Sequence, residues 1–84
     1  MSTQIKQDIS IGKNLQNLRK RAGMSQEQVA AKLQLRGISI SREVISQMEL
    51  GKYSIKISIL LALTEIYRAT LDEFFEGFQY YHGK

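Results

Sequence analysis

The stretch that decides the fold is SREVISQMELG, residues 41–51. Its apolar residues lie at the spacing of one helix face, because Val44 and Ile45 are followed by Met48 one turn later. The serine at the start of the stretch is a type that caps helix N-termini, and the glycine at its end is a type that closes helices. The stretch therefore predicts an amphipathic helix between these two residues.

The side of this helix opposite the apolar stripe is polar and carries Arg42, Glu43, Ser46 and Gln47. An arginine can donate two hydrogen bonds to guanine, a glutamine can pair bidentately with adenine, and a glutamate can accept from cytosine. Two helices joined by a turn, the second with such a face, can place side chains in the major groove of DNA. An ordinary solvated helix face has the same pattern, and periodicity alone leaves both interpretations open.

The residues before this stretch predict two more helices, one over residues 10–22 and one over residues 25–36. Each is followed by a glycine, which suits the left-handed conformation that ends a helix. The second helix opens with a capping box, in which Ser25 and Gln28 can satisfy each other's backbone N–H groups.

The residues after the stretch predict two further helices. Residues 57–67 are apolar on most sides, which favours a central buried helix. A short last helix opens with a second capping box, made by Thr70 and Glu73. The brief alternating patterns at residues 38–41 and 54–59 are interpreted as turn and cap regions rather than strands. The fold class predicted is all-α, with five helices.

Charge is unevenly distributed along the 84 residues, whose net charge is +4. Residues 1–56 hold ten Lys and Arg against four Asp and Glu, which gives +6, whereas residues 57–84 hold two against four, which gives −2. If the chain binds a polyanion, we expect the basic part to face it.

Composition also narrows the function classes. The chain has no cysteine and one histidine, His82, so we expect no disulfide, no metal site and no cofactor. The acidic residues are accounted for by helix caps and ion pairs, and we therefore expect no enzyme. The polar N-terminus and an apolar run of only residues 57–63 predict a cytoplasmic protein without a membrane segment.

Taken together, these segments resemble the helix-turn-helix domains of the Cro/repressor (XRE) type. Four sequence motifs carry the resemblance over about residues 11–75: IGKNLQNLR at 11–19, GMSQEQVA at 23–30, ISQMELGK at 45–52 and LALTEIYRATLDEFF at 61–75. The resemblance implies a compact, lambda-repressor-like domain of five helices that binds a double-stranded DNA operator.

The resemblance also implies roles for single residues. The family's base-facing positions on the recognition helix correspond to Ser41, Arg42, Glu43 and Gln47, with Ser46 beside them. The positions that contact the DNA backbone correspond to Gln26, Lys52 and Tyr53, and a structural ion pair between the first and third helices corresponds to Arg19 and Glu49.

The chain departs from the family pattern between its second and third helices. From Ala30 to Glu49 is 19 positions, about five more than is usual in the family. We assign three of the extra residues to the second helix and two to the turn at residues 38–41. Three apolar residues, Leu35, Ile38 and Ile40, are expected to pack this extension onto the domain. Further along, Ile55 and Lys56 replace the usual proline and serine before the fourth helix, and Arg68 stands where glycine usually ends that helix.

These observations predict a flexible N-terminal arm at residues 1–8, a helix-turn-helix domain at 9–76 and an aromatic tail at 77–84. We expect a sequence-specific DNA-binding regulator, most simply a repressor. The alternative is an antitoxin or adaptor that acts through a protein partner. One hypothesis is that Phe78, Tyr80 or Tyr81 helps a homodimer to form. The alternative is that the tail folds over the last helix or is disordered.

Overall fold

The computed structural model describes residues 4–5 and 10–77, and five helices make up most of this part of the chain. The helices are α1 (Gly12–Arg21), α2 (Gln26–Leu35), α3 (Arg42–Glu49), α4 (Ile57–Tyr67) and α5 (Leu71–Phe74), and two short strands, β1 (Gln4–Ile5) and β2 (Ile55–Lys56), complete the order. The prediction of an all-α fold with five helices is confirmed, and each predicted helix end lies within two residues of the observed one.

The helices begin where the sequence supplies caps. At the start of α2, the Ser25 hydroxyl accepts from the Gln28 N–H at 3.1 Å, and the Gln28 side chain accepts from the Ser25 N–H at 2.8 Å. Thr70 and Glu73 form the second capping box at the start of α5. The Ser41 hydroxyl accepts from the N–H of the third residue of α3. Both predicted capping boxes and the serine cap are therefore confirmed.

The connection between α2 and α3 is only partly packed. Ile38 and Ile40 are half-buried against the core, and the Arg36 side chain forms an ion pair with Glu65 of α4. Leu35 is 86% exposed, so the expectation that it packs the extension onto the domain is wrong. Leu33, two positions earlier on α2, is fully buried, and side chains two positions apart lie on nearly opposite sides of a helix, so Leu35 faces solvent.

Residues 54–59 contain a short strand as well as a helix start. Ile55 and Lys56 pair antiparallel with Ile5 and Gln4, so the interpretation of this segment as only a turn and cap is wrong. The partner strand lies some fifty positions away in sequence, and hydropathy alternation within residues 54–59 carries no information about it. Lys56 then caps α4 without a side-chain hydrogen bond. At the other end of α4, Arg68 adopts the left-handed conformation with φ 53°.

The two ends of the chain lie largely outside this description. Apart from β1, the predicted arm at residues 1–8 lies outside the described residues, and its flexibility stays a prediction. The aromatic tail at residues 77–84 lies outside them except for Gly77, so the aromatic side chains proposed for a homodimer are not described.

The core is built around α4. Six of its residues are buried, namely Ile59, Leu60, Ala62, Leu63, Ile66 and Tyr67, and the prediction of a central buried helix is confirmed. The Tyr67 ring stacks on Phe74 of α5 with centroids 6.4 Å apart. Burial of these side chains supplies the main driving force for folding.

α5 is also tied to α1 by polar contacts. The Asn14 side-chain amide donates to the carbonyls of Phe74 at 3.0 Å and Glu76 at 2.9 Å. Near the other end of α1, Arg21 forms a bidentate ion pair with Glu73. The hydrogen bond from Arg21 is the largest of several effects that lower the pKa of Glu73 to about 2.

Gly12 allows α1 to approach the end of α3 closely. A Cβ atom at this position would lie 2.2 Å from the Glu49 carbonyl oxygen and 3.0 Å from the Gly51 nitrogen. The N-terminus of α1 therefore abuts the C-terminus of α3, which brings together opposite ends of the two helix dipoles. Only glycine fits this contact without a shift of backbone.

We predict that Gly12→Ala destabilises the domain by about 1 to 3 kcal/mol or more, because the added methyl group clashes with backbone that cannot rotate away. Urea unfolding followed by circular dichroism measures the change. The control is Asn17→Ala on the exposed face of the same helix, which should leave stability nearly unchanged. Equal midpoints for the two variants would contradict the close contact.

The lowered pKa of Glu73 predicts a pH dependence of stability. A carboxylate whose pKa is lower in the folded state stabilises the fold above its unfolded value of about 4.5, and this contribution is lost as the pH falls towards 2. Glu73→Gln should therefore lower stability at pH 7 and flatten its decline between pH 5 and pH 2. The control is Glu27→Gln, which removes an exposed carboxylate that forms no ion pair among the described residues. An unchanged acid limb in Glu73→Gln would contradict the prediction.

Candidate nucleic-acid interface

α3 is held by its apolar side and exposes its polar side. Ile45 and Met48 are each 1% exposed, and the helix packs against both α1 and α2. Arg42, Glu43 and Gln47 are exposed on the other side, together with Ser41 at the cap, whereas Ser46 is half-buried. The residues expected to read bases thus form one solvent-facing surface, here called the α3 face (Ser41, Arg42, Glu43, Ser46 and Gln47).

A buried carboxylate fixes α3 to α1. Glu49 accepts from the Arg19 Nε at 2.7 Å and from its Nη2 at 3.1 Å, and the two side chains are only 4% and 11% exposed. The third guanidinium nitrogen, Nη1, donates to the Met24 carbonyl at 2.9 Å. These are the two residues for which the family resemblance implies a structural ion pair.

The same carboxylate also reaches α2. The Gln26 side-chain amide donates to Glu49 Oε1 at 3.0 Å, so the first residue of α2 is joined to the last residue of α3. Sequence reasoning assigned Gln26 only to the DNA backbone and missed this bond. We name the three side chains Arg19, Gln26 and Glu49 the carboxylate hub.

The electrostatics of the hub follow from its burial and its pairing. The hydrogen bond to Glu49 raises the pKa of the Arg19 guanidinium above its ordinary value. Burial raises the pKa of the nearby Tyr67 hydroxyl, and the Glu49 charge raises it further. The hub therefore places a protonated Arg19 guanidinium near a neutral Tyr67 hydroxyl across the physiological pH range.

On the α3 face, Arg42 has an acidic neighbour. Its Nη2 lies 3.6 Å from the Glu43 carboxylate, and the two side chains are 48% and 73% exposed. A pair this exposed contributes little to stability. It leaves both side chains available to a ligand and lowers the net positive charge of the first turn of α3.

The loop after α3 folds back along the helix. The Lys52 backbone N–H donates to the Gln47 carbonyl at 2.9 Å, while the Lys52 side chain is exposed. Tyr53, 46% exposed, lines a cleft together with Ser41 and Val44. Lys52 and Tyr53, the two residues of this loop that were assigned to the DNA backbone, thus lie beside the α3 face.

α1 contributes side chains that sequence reasoning did not assign. Gln16 and Lys20 share a cleft with Gln26 and Arg42, and Lys13 and Gln16 share a second cleft with Gln26 and Ser46. The spacing of Lys13, Gln16 and Lys20 by three and four positions was visible in the sequence. It indicates one helical face, but not which neighbouring element that face borders.

An exposed polar helix that is buried on its other side and follows a helix and a turn defines the helix-turn-helix class of DNA-binding domain. Residues 15–74 match the family model described as Helix-turn-helix. The match covers well over half of the chain, which belongs to this family, and the resemblance to the XRE type is confirmed. This is a family of DNA-binding regulatory domains, in which enzymatic activity is not typical. Neither a curated protein nor a solved structure matches the chain significantly.

The described part of the chain has neither a membrane-spanning helix nor a metal-binding group. Its helices are too short or too polar to cross a bilayer. Residues 4–5 and 10–77 also contain no group of three histidine, cysteine or acidic side chains arranged to hold a metal ion.

We predict that Arg19→Met destabilises the domain by about 3 to 5 kcal/mol, because it leaves the Glu49 carboxylate buried without its cation. Arg21→Met is the matched control: it is the same substitution on the same helix, but the pair it removes, with Glu73, is more exposed. Chemical unfolding should show a much larger loss for Arg19→Met. Similar losses in the two variants would show that the hub does not depend on this ion pair.

Proposed function

We propose that the protein is a sequence-specific DNA-binding transcriptional regulator that acts as a repressor and inserts α3 into the major groove. The observation that supports this most directly is the α3 face, which is solvent-exposed while the opposite side of the helix is locked into the core. Family membership supports DNA binding, and the side-chain types on the face are those that read base edges.

The proposed contacts fall into two groups. Arg42 and Gln47 contribute most to base discrimination, since both are exposed and both can form bidentate hydrogen bonds with a base. Ser41, Glu43 and Ser46 complete the base-reading surface. The remaining contacts go to the sugar–phosphate backbone, from Gln26 at the start of α2 and from Lys52 and Tyr53 after α3. These position the protein without selecting sequence.

Charge supports the same orientation. The Arg21–Glu73 and Arg36–Glu65 pairs neutralise cations at the contacts of α1 with α5 and of α2 with α4. The Lys52 side chain, beside the α3 face, forms no ion pair among the described residues. The Lys52 cation is therefore available to attract phosphate on the side that carries α3.

A dimer and a cytoplasmic location complete the proposal. A twofold dimer would place its two α3 helices in half-sites about 34 to 36 Å apart, and a bound dimer would block polymerase at an overlapping promoter. The tail residues Phe78, Tyr80 and Tyr81 remain the proposed dimer contacts. The aromatic composition of the tail supports this part of the proposal.

Selection of bound duplexes from a random pool at two salt concentrations tests the proposed function. An enriched motif that persists at the higher salt supports sequence-specific binding, and a palindrome in it supports the dimer. Retention of all sequences alike at low salt, with none enriched, would contradict specific recognition.

We predict that Arg42→Ala and Gln47→Ala each weaken binding to the selected duplex by about 1 to 3 kcal/mol and relax the preference at one base position. Lys52→Ala should weaken binding to selected and random duplexes alike, because its contact is with phosphate. Fluorescence anisotropy at fixed salt measures both effects. Equal losses on the two duplexes for Arg42→Ala would contradict its base-reading role.

A further inference from the structure

We propose that the cleft between the α2–α3 connection and the start of α4 binds a small organic anion with an apolar body, and that this ligand weakens DNA binding. The site itself is argued from the cleft, whereas the regulatory half of the inference rests on the proposed function. We name it the connection cleft, because its two walls are the connection at residues 37–41 and the segment at residues 53–59.

The connection cleft has the size of a small-molecule site. Its volume is about 550 Å³, and pockets that bind small molecules typically measure about 300 to 1,000 Å³. Its walls come from segments that are separate in sequence, with Val44 of α3 also in the lining. A ligand in the cleft would therefore contact the α2–α3 connection, α3 and the start of α4 together.

One part of the lining is apolar. Ile38, Ile40 and Val44 are only half-buried against the core, and Ile59 beside them is 6% exposed. The first three side chains thus leave apolar surface in contact with water. An apolar ligand body that covers this surface removes it from water, which favours binding.

The rest of the lining carries hydroxyl groups and one cation. The hydroxyls belong to Ser39, Ser41, Tyr53, Ser54 and Ser58. Lys56 is the one charged residue among the described residues of the lining, and its side chain is exposed. An ammonium group and hydroxyls can all donate hydrogen bonds to a carboxylate, and a bond from a charged donor is stronger than a neutral one. The lining therefore favours an anionic group over a cationic one.

Two residues of the lining link the connection cleft to the proposed DNA contacts. Ser41 belongs to the α3 face, and Tyr53 belongs to the loop proposed to contact the DNA backbone. A bound anion covers part of both residues and adds negative charge next to the proposed position of the phosphates. Ligand and duplex then weaken each other's binding by the same factor.

The binding test is an NMR titration of the labelled full chain with naphthoate, a carboxylate on a flat apolar body. Acetate lacks the apolar body, and naphthamide lacks the charge. We expect saturable shift changes at residues 37–41 and 53–59 with a Kd for naphthoate of about 1 mM or lower. Acetate and naphthamide should each bind about fivefold more weakly or worse, because each loses one of the two kinds of contact.

The variant that tests the cation is Lys56→Gln, and Lys32→Gln is its matched control. Both remove one exposed lysine charge, but Lys32 on α2 lies outside the connection cleft. Lys56→Gln should weaken naphthoate binding by about fivefold or more and leave naphthamide binding unchanged. Lys32→Gln should change neither. Thermal unfolding midpoints equal to that of the original chain show that both variants are folded.

The regulatory half is tested by measuring affinity for the selected duplex with and without naphthoate at equal ionic strength. We expect saturating naphthoate to lower this affinity by about fivefold or more in the original chain and in Lys32→Gln. The same concentration should have a much smaller effect on Lys56→Gln.

Absence of saturable shifts at residues 37–41 and 53–59 would overturn the site, and so would equal naphthoate binding by Lys56→Gln and the original chain. Naphthoate binding that leaves duplex affinity unchanged would overturn the regulatory half and leave the proposed function intact. Failure of the original chain to bind any duplex at low salt would overturn the proposed function and the regulatory half, while the NMR titration would still decide the site.

Discussion

The structure depends on one buried carboxylate. Glu49 lies at the end of α3 and accepts hydrogen bonds from Arg19 of α1 and Gln26 of α2, so three helices meet at a single side chain. Burial of a carboxylate that is only 4% exposed is strongly unfavourable without such partners. The arrangement of the helices that supplies these hydrogen bonds is therefore favoured over others. Gly12 adds a close backbone contact at the same end of α3. Together these contacts hold the exposed α3 face at a fixed angle to the rest of the domain.

The hub and the connection between α2 and α3 hold opposite ends of α3. The connection precedes α3, whereas the hub holds its C-terminal end. Ile38 and Ile40 pack partly buried against the core, and Arg36 pairs with Glu65 of α4. The contact of α3 with α1 therefore does not depend on the length that the sequence suggests for this connection.

Much of the fold could be predicted because its signals are local. The capping boxes at Ser25 and Thr70 and the apolar stripe of α3 depend on residues within one or two turns, and these predictions are confirmed. Features that depend on distant residues were missed. The pairing of β2 with β1 and the bond from Gln26 to Glu49 join segments far apart in sequence. The exposure of Leu35 is a local feature instead, because Leu33 is buried on the opposite side of α2.

At the candidate site, too, the sequence predicts local features but not contacts between distant segments. Periodicity identifies the outward side of α3, but the presence of Gln16 beside it follows only from how α1 packs. The most direct test of the account is an NMR titration of the labelled protein with a selected duplex. We predict that amide and side-chain shifts change along residues 41–47 and around the start of α2, while the shifts of the exposed α4 residues Leu61 and Glu65 stay unchanged. Changes confined to α4, with residues 41–47 unaffected, would contradict it.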